Sequence, residues 1–384
     1  MNTVASTVQK TFKVNFSSTP HLYYSPGRIN FIGEHIDYND GFVMPAAIDK
    51  AIYYAIALNN TDDINFHSID FNEKLTVNIR EIKKMTGWKN YVLSVVNEFL
   101  IKGLEVKGFD CVFGGDIANG AGISSSAAVE GGLAFAINYL FSFGFSRKEL
   151  ALLCQRAEHN YPGVKCGIMD QYANMHGKKD NVILLDCRSI VHEYFPLKLD
   201  EYEIVLINTN VHHSLASSEY NVRRKQCEEG LEILKKEKGI TSFRDIKNSA
   251  ELDDIKDKMP EKVYDRCKYV VEEIIRTQKA GTLLKEDNLI EFGKLMYQTH
   301  EGLSKLYEVS CPELDFLVEQ AKGNENIIGS RMMGGGFGGC TINIIKKEAV
   351  KDFLASAISA YQKKFQINPE VIDVKIGDGT HEII

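Results

Sequence analysis

The chain has 384 residues with 45 basic and 52 acidic side chains, and its formal net charge is −7. This length favours two domains, and 44% hydrophobic with 25% charged residues excludes a disordered, collagen-like or coiled-coil chain. The mild acidity offers no binding footprint for nucleic acid, and no stretch approaches the roughly 20 apolar residues that span a membrane. Eight cysteines without a C-x-x-C pair argue against zinc and disulfides and favour a reducing, cytoplasmic compartment.

The first half of the chain mixes short strand-like runs with helical ones. β-branched, aromatic or alternating apolar residues predict strands over residues 51–58, 75–79 and 110–114. Residues 124–143 carry a single charge, Glu130, and the length of this apolar run favours a buried helix over a strand.

A second helix is predicted to follow directly. Ser146 and Glu149 have the spacing of a capping box, so this helix should begin there and run to about Asn160, where Pro162 stops it. Its apolar residues recur with helical period, and Glu158 falls on the same stripe. We therefore expect the Glu158 carboxylate to point inward.

The second half is predicted to contain more charged helices, over residues 219–238, 261–279 and 287–306. Two strands, with a helix between them, are expected over residues 340–345 and 371–376. A boundary near residues 190–205 would divide the chain into lobes of residues 1–195 and 196–384. Regular alternation of strands and helices is absent, so the predicted fold class is α+β with mixed sheets.

Residues 120–128 read GAGISSSAA and form the most informative glycine segment. Two glycines let the backbone approach a ligand closely, and three serines open the apolar helix, where free N–H groups and the helix dipole suit a phosphate. The serine hydroxyls can bind that phosphate or ligate Mg²⁺. The alternative is an ordinary serine N-cap. The chain contains no Walker A sequence, so a bound nucleotide would require another scheme.

Residues 27–39, GRINFIGEHIDYN, crowd four polar side chains into six positions: Glu34, His35, Asp37 and Asn39. Such donors and acceptors suit sugar hydroxyls, although a polar surface loop would have the same composition. A metal site here lacks the spaced pair of histidines that divalent sites usually show.

Residues 334–339, GGGFGG, formally match the dinucleotide pattern G-x-G-x-x-G. That pattern requires a following helix, whereas the next residues are strand-like, so we reject dinucleotide binding. Two interpretations of this segment remain: a tight turn, or a loop whose backbone closes over a ligand.

Together these three segments resemble the signatures of the GHMP small-molecule kinases, and GRINFIGEHIDYNDG is similar to the galactokinase signature. Three further segments resemble galactokinases: CGIMDQ (166–171), LLDCRS (184–189) and SEYNVRRKQCE (218–228). The chain departs from the family at Ile36, where Thr is usual, and at Ala118, where Pro is common. The resemblance implies a two-lobed fold, with mixed sheets flanked by helices and the active site in the cleft between the lobes.

The resemblance also implies the reaction and the role of individual residues. ATP would phosphorylate the C1 hydroxyl of α-D-galactose, the first committed step of galactose catabolism. Asp170 would act as the base or orient that hydroxyl, and Arg28 would keep Asp170 ionised and offset charge on the phosphoryl group. A plain buried ion pair is the alternative for these two residues.

The remaining implied contacts concern the two substrates and the cofactor. The sugar would be bound by Glu34, His35, Asp37, Gly167 and Tyr220. ATP would be bound by Trp88 and by the loop residues Gly120, Ala121, Gly122, Ile123, Ser124, Ser125 and Ser126. Mg²⁺ would be held by Ser126 and Glu158. Glu130 is left unassigned, and His212 and His213 are interpreted as solvated or structural.

Two other functions stay open within this resemblance. A sister kinase, for example one acting on N-acetylgalactosamine, would need room beside the 2-position of the sugar. A galactose and ATP sensor without catalysis would carry a shortened serine-alanine run, whereas residues 124–128 are whole here. The expected partners are D-galactose and ATP, with Mg²⁺ as cofactor and neither nucleic acid nor a membrane, and we expect a cytoplasmic monomer.

Overall fold

The computed structural model describes residues 3–118, 120–212 and 216–383. The side chains of residues 212–218, which include His212 and His213, lie outside the described part. The described strands are β1 His21–Asn30, β2 Phe42–Val43, β3 Pro45–Leu58, β4 Asp63–Ser68, β5 Glu73–Asn78, β6 Phe109–Gly115, β7 Asn181–Asp186, β8 Val191–Pro196, β9 Tyr202–His212, β10 Ile327–Met332, β11 Gly338–Lys346, β12 Glu370–Asp373 and β13 His381–Glu382. The described α-helices are α1 Thr3–Asn15, α2 Trp88–Ile101, α3 Ser125–Leu140, α4 Arg147–Asn160, α5 Met169–His176, α6 Ala216–Lys238, α7 Glu261–Lys285, α8 Leu289–Lys305, α9 Pro312–Ala321 and α10 Val350–Phe365.

The described strands form three sheets. A six-stranded sheet has the order β13-β1-β3-β6-β4-β5, and in it β4 and β6 run parallel while the other neighbours are antiparallel. The four-stranded sheet β10-β11-β9-β12 and the three-stranded sheet β2-β7-β8 are antiparallel. The predicted α+β class is confirmed, and its mixed character comes from the largest sheet. Because β13 pairs with β1, the end of the chain returns to that sheet.

The long apolar run is the helix α3, as predicted, and it packs on β1 and β3. The approach is closest at Gly132, where a Cβ atom would lie 2.4 Å from the ring of Tyr54. Burial against the sheet explains why this helix carries almost no charge. It also fixes where the helix begins, at Ser125, beside the cleft described below.

The helix α4 begins and ends where the capping signals place it. The Ser146 side chain accepts a hydrogen bond from the Glu149 amide, and the Glu149 carboxylate accepts one from the Ser146 amide. The helix ends at Asn160, just before Pro162. Glu158 is 6% exposed, so its carboxylate points inward as predicted.

The predicted strand over residues 371–376 is shorter in the structure. The strand β12 ends at Asp373, and Ile376 instead forms an isolated bridge with Ile48. The opposite face of the six-stranded sheet is covered by α1, which packs on β3 and β6. None of the helices in the described ranges is long and apolar enough to cross a membrane.

Candidate active site

Two neighbouring cavities collect the residues that the sequence singles out. The smaller has a volume of about 180 Å³. Eight of its lining residues are predicted site residues: Arg28, Glu34, His35, Asp37, Glu158, Gly167, Asp170 and Tyr220. The larger, of about 640 Å³, is lined by Trp88, Ser125 and Ser126. Residues from five separate stretches of the sequence therefore line these two cavities.

A carboxylate–guanidinium pair lines the smaller cavity. Arg28, which is 4% exposed, donates from Nε to Asp170 Oδ1 at 2.8 Å and from Nη2 to Asp170 Oδ2 at 2.9 Å. The hydroxyl of Ser124 also donates to Asp170 Oδ2. Such a bidentate, charge-assisted contact is strong and fixes the orientation of the carboxylate. The Asp170 side chain is still 29% exposed, so it faces the smaller cavity.

The start of α3 is built to leave its amide groups uncapped. Ser124 adopts a left-handed conformation with φ of 61°, and its side chain forms no cap hydrogen bond, because its hydroxyl donates to Asp170 instead. The alternative of an ordinary serine N-cap is therefore wrong. The first N–H groups of a helix without a side-chain cap suit an anion.

The glycine loop before α3 contributes mainly backbone. Ala121 and Ile123 are buried, with 0% and 1% of their surface exposed, so their side chains belong to the core. Gly120 and Gly122 have φ of 74° and 71°. The Gly122 carbonyl accepts from Arg28 Nη1 at 2.6 Å, and this contact joins the glycine loop to the predicted sugar segment.

Glu34 is held as a buried anion. It is 2% exposed, and Oε2 accepts from Arg331 Nη2 at 2.7 Å and from Asn30 Nδ2 at 3.2 Å. Burial alone would raise the pKa of Glu34, but the charges of Arg331 and Arg28 outweigh it, and the pKa lies below its ordinary value. Glu34 can therefore accept hydrogen bonds from a ligand at neutral pH.

His35 is neutral and both of its ring nitrogens are engaged within the chain. Burial lowers its pKa to about 4. Nε2 lies 3.2 Å from the Gly335 carbonyl and Nδ1 lies 2.8 Å from the Tyr38 hydroxyl. A carbonyl can only accept, so Nε2 carries the proton and Nδ1 accepts from Tyr38. His35 thus ties the sugar segment to the loop 334–339.

Asp37 and Gly167 are in direct contact. Asp37 accepts from the amides of Tyr38 and Met169 at 3.1 and 3.3 Å. A Cβ atom at position 167 would lie 2.0 Å from Asp37 Oδ2, so only glycine fits there. Burial and the neighbouring charge of Asp170 raise the pKa of Asp37 to about 7. The ring of Tyr220 lies over that of His35, with centroids 5.2 Å apart.

The two departures from the family pattern lie in different places. Ile36 is fully buried and does not line the smaller cavity. Ala118 lines the larger cavity, with Trp88. The indole Nε1 of Trp88 donates to Glu73 at 3.1 Å, which fixes the ring at the cavity wall.

Sequence reasoning missed two buried charges that support the sugar segment. Arg331, on β10, is 0% exposed and also donates to the carbonyls of Phe31 and Asn30. Glu273, on α7, is 0% exposed and accepts from the Gly33 amide at 2.8 Å. A signal was present for Arg331, since a lone charge inside the apolar run 327–333 requires a partner.

The residues expected to hold Mg²⁺ fit a divalent cation in their chemistry. Burial and the charge of Asp170 raise the pKa of Glu158 to about 7, while the nearby Ser126 lowers it. Glu130 is a second buried acid close to Glu158. Among the described residues, no three His, Cys, Asp or Glu side chains form a metal-binding group. The expected site would consist of the Glu158 carboxylate and the Ser126 hydroxyl, oxygen donors that suit Mg²⁺.

Comparison with known proteins gives the family. The galactokinase galactose-binding signature matches residues 10–58, and the GHMP kinases N terminal domain and C terminal models match residues 90–178 and 282–364. The galactokinase of Thermotoga neapolitana is 41% identical over 359 residues, which cover 94% of this chain and 99% of that relative. The chain belongs to the galactokinase family. The galactokinase of Clostridium tetani is 40% identical over 94% of this chain and 93% of its own.

Solved structures agree with this assignment. The crystal structure of Lactococcus lactis galactokinase complexed with galactose has a TM-score of 0.95 at 33% identity, and the match covers 99% of this chain and 100% of that one. Methanococcus jannaschii mevalonate kinase, with a TM-score of 0.65 at 20% identity over 94% of this chain and 99% of its own, shares the fold. The galactokinase family and the GHMP kinase fold expected from the motifs are confirmed, and the chain is an ATP-dependent sugar kinase.

Proposed function

We propose that the chain transfers the γ-phosphoryl group of ATP to the C1 hydroxyl of α-D-galactose, giving galactose 1-phosphate and ADP. The observation that carries this proposal is the position of Asp170. It faces a cavity lined by hydrogen-bonding side chains, and Ser124, at the start of α3, donates to it. A sugar hydroxyl and a phosphate can therefore approach the same carboxylate.

In the proposed reaction Asp170 orients the C1 hydroxyl and accepts its proton. The C1 oxygen forms the new bond to Pγ, and the bond from Pγ to the bridging oxygen of ADP breaks. Arg28 orients Asp170 through the bidentate contact, and its charge offsets that of the transferring group. This assigns a chemical role to a pair that would otherwise be only a buried ion pair.

ATP is proposed to lie along the larger cavity. The uncapped amides of α3 and the backbone of residues 120–126 would bind its phosphates, and Trp88 would form the wall for the base. Ser126 and Glu158 would hold Mg²⁺. When bound, the cation neutralises charge on the phosphates.

Galactose is proposed to lie in the smaller cavity. Glu34 and Asp37 would accept from its hydroxyls, the absence of a side chain at Gly167 would leave room for it, and Tyr220 would close one side. His35, with both nitrogens engaged, would shape the cavity more than it binds hydroxyls.

The proposed site lies between the two lobes, 1–195 and 196–384. Tyr220, Gly334 and Gly335 reach the smaller cavity from the second lobe and the other site residues from the first. A reducing, cytoplasmic location is also part of the proposal, since all eight cysteines are free thiols. The monomeric state stays a prediction.

The proposed substrate is tested by measuring ADP release from ATP and Mg²⁺ with each of a panel of sugars. We expect galactose to give the highest kcat/KM. N-acetylgalactosamine and glucose serve as controls, because they differ from galactose at the 2-position and the 4-position. A higher kcat/KM for N-acetylgalactosamine would identify the sister kinase, and no ADP release with any sugar would favour the sensor.

A further inference from the structure

Glu130 is a buried acid that has no cationic partner among the described residues. It lies on α3, is 0% exposed, and neither of its oxygens accepts a hydrogen bond from any described residue. Burying an unpaired carboxylate is costly, so proteins rarely leave one in this state without a ligand or a counter-ion. None of the roles assigned above uses it.

The surroundings of Glu130 are acidic and lie at the expected cation site. Ser126 precedes it by four residues on α3, so both side chains lie on one face of the helix. After burial, the charge of Glu158 is the main cause of a pKa of Glu130 well above its ordinary value, and Asp170 acts in the same direction. Three acidic side chains therefore act on one region.

Gln171, on α5, is a second observation that points to a ligand. It is 0% exposed, and its Nε2 donates to Glu158 Oε2 at 2.8 Å. Its Oε1 has no hydrogen-bond partner within the described ranges. An unpartnered amide oxygen beside two carboxylates adds a further oxygen donor of the kind that Mg²⁺ accepts.

Glu98, on α2, shows how this protein treats another buried acid. It is 3% exposed, and it accepts from Arg156 Nε at 3.2 Å and from Asn160 Nδ2 at 2.9 Å. Its charge is compensated by a guanidinium group. Glu130 has no such partner among the described residues.

We propose that Glu130 is a further residue of the divalent cation site, and that with Glu158 it supplies the second negative charge facing the ion. The inference rests on the proposed binding of Mg²⁺ by Ser126 and Glu158. Two carboxylates balance the charge of a divalent ion, so the protein should bind the ion in the absence of nucleotide.

The test measures Mn²⁺ binding to the nucleotide-free protein, from the loss of the free-ion signal in electron paramagnetic resonance. Glu130→Gln should lower the affinity by about tenfold or more, a typical effect of altering the surroundings of a metal ligand. The matched control Glu98→Gln should keep the wild-type Mn²⁺ affinity but lower Tm, because it leaves Arg156 without its counter-ion.

The variants separate the two proposals. If Glu158→Gln loses affinity for Mn²⁺ and Glu130→Gln keeps it, Glu130 is outside the site while the proposed role of Glu158 stands. If both variants bind as wild type, the cation site itself is misplaced. A wild-type protein that binds no Mn²⁺ without nucleotide also overturns the inference about Glu130. Glu130→Met, of similar volume, provides the same comparison if Glu130→Gln does not fold.

Discussion

Arg331 Nη2 lies 2.7 Å from Glu34 Oε2, and this buried ion pair joins the four-stranded sheet to the segment that presents the proposed sugar-binding residues. The two residues are 297 positions apart. Arg331 also donates to two carbonyls of the same segment. The proposed sugar site in the first half of the sequence is thus positioned by a side chain from the second half.

Arg331→Met should lower the free energy of unfolding by about 3–5 kcal/mol, because it leaves the Glu34 carboxylate buried and unpaired. It should also raise the Kd for galactose, since Glu34 loses its orientation. The double variant with Glu34→Gln should recover part of the lost stability. Urea unfolding of the wild type, the two single variants and the double variant gives the coupling free energy between Arg331 and Glu34. Strictly additive effects would show that the pair does not act as a unit.

Asp170→Asn should retain galactose binding and lose phosphoryl transfer by about 10²–10⁴-fold, the range expected when a general base is removed. Calorimetry measures the binding and single-turnover experiments the transfer. Ser124→Ala is the companion variant, because it removes one donor to Asp170 and keeps the carboxylate, and it should have a smaller effect. Near-normal turnover in Asp170→Asn would remove this residue from the mechanism.

The affinity for galactose should rise between pH 6 and pH 8. The pKa of Asp37 is raised to about 7, so the acid is largely protonated at pH 6 and ionised at pH 8, where it accepts hydrogen bonds from the sugar. Asp37→Asn should bind more weakly and with a flatter dependence on pH. A wild-type Kd that is constant over this range would contradict the assignment of Asp37 to the sugar.

The same shift predicts how stability depends on pH. The folded protein holds a proton on Asp37 that the unfolded chain releases at a lower pH, so this contribution to stability is lost as the pH rises through about 7. Thermal unfolding without sugar should show Tm falling from pH 5 to pH 8. Glu158 is shifted in the same direction, so Asp37→Asn should reduce this slope without abolishing it. An unchanged slope in the variant would count against the raised pKa.

Gly167→Ala should raise the KM for galactose strongly, because the added Cβ atom would overlap the Asp37 carboxylate and displace it. Gly163→Ala is the matched control in the same loop. Its Cβ atom would meet nothing within 4 Å, although its φ of +81° is unfavourable for alanine. The control should therefore lose about 1–2 kcal/mol of stability and keep the wild-type KM. Equal KM values for the two variants would contradict this contact.

Local patterns in the sequence were sufficient for several elements. The capping box and Pro162 predicted the bounds of α4, because both act on their own helix end. The position of Glu158 on an apolar stripe predicted its inward orientation, since helical period alone decides which side chains share a face. The motifs also predicted the family, because each motif specifies both the residue types and the spacing between them.

Only the tertiary structure decided which partners these residues have. The Ser124 hydroxyl could have capped its own helix. It donates to Asp170 instead, because α5 brings that carboxylate within reach. Glu273 reaches the Gly33 amide from 240 residues away. Glu98 has the guanidinium group of Arg156 beside it, whereas Glu130 has no such partner among the described residues. The physical reason is that a buried polar group is satisfied by whichever donor the packing of sheets and helices places beside it. That arrangement depends on the whole chain and not on any single segment.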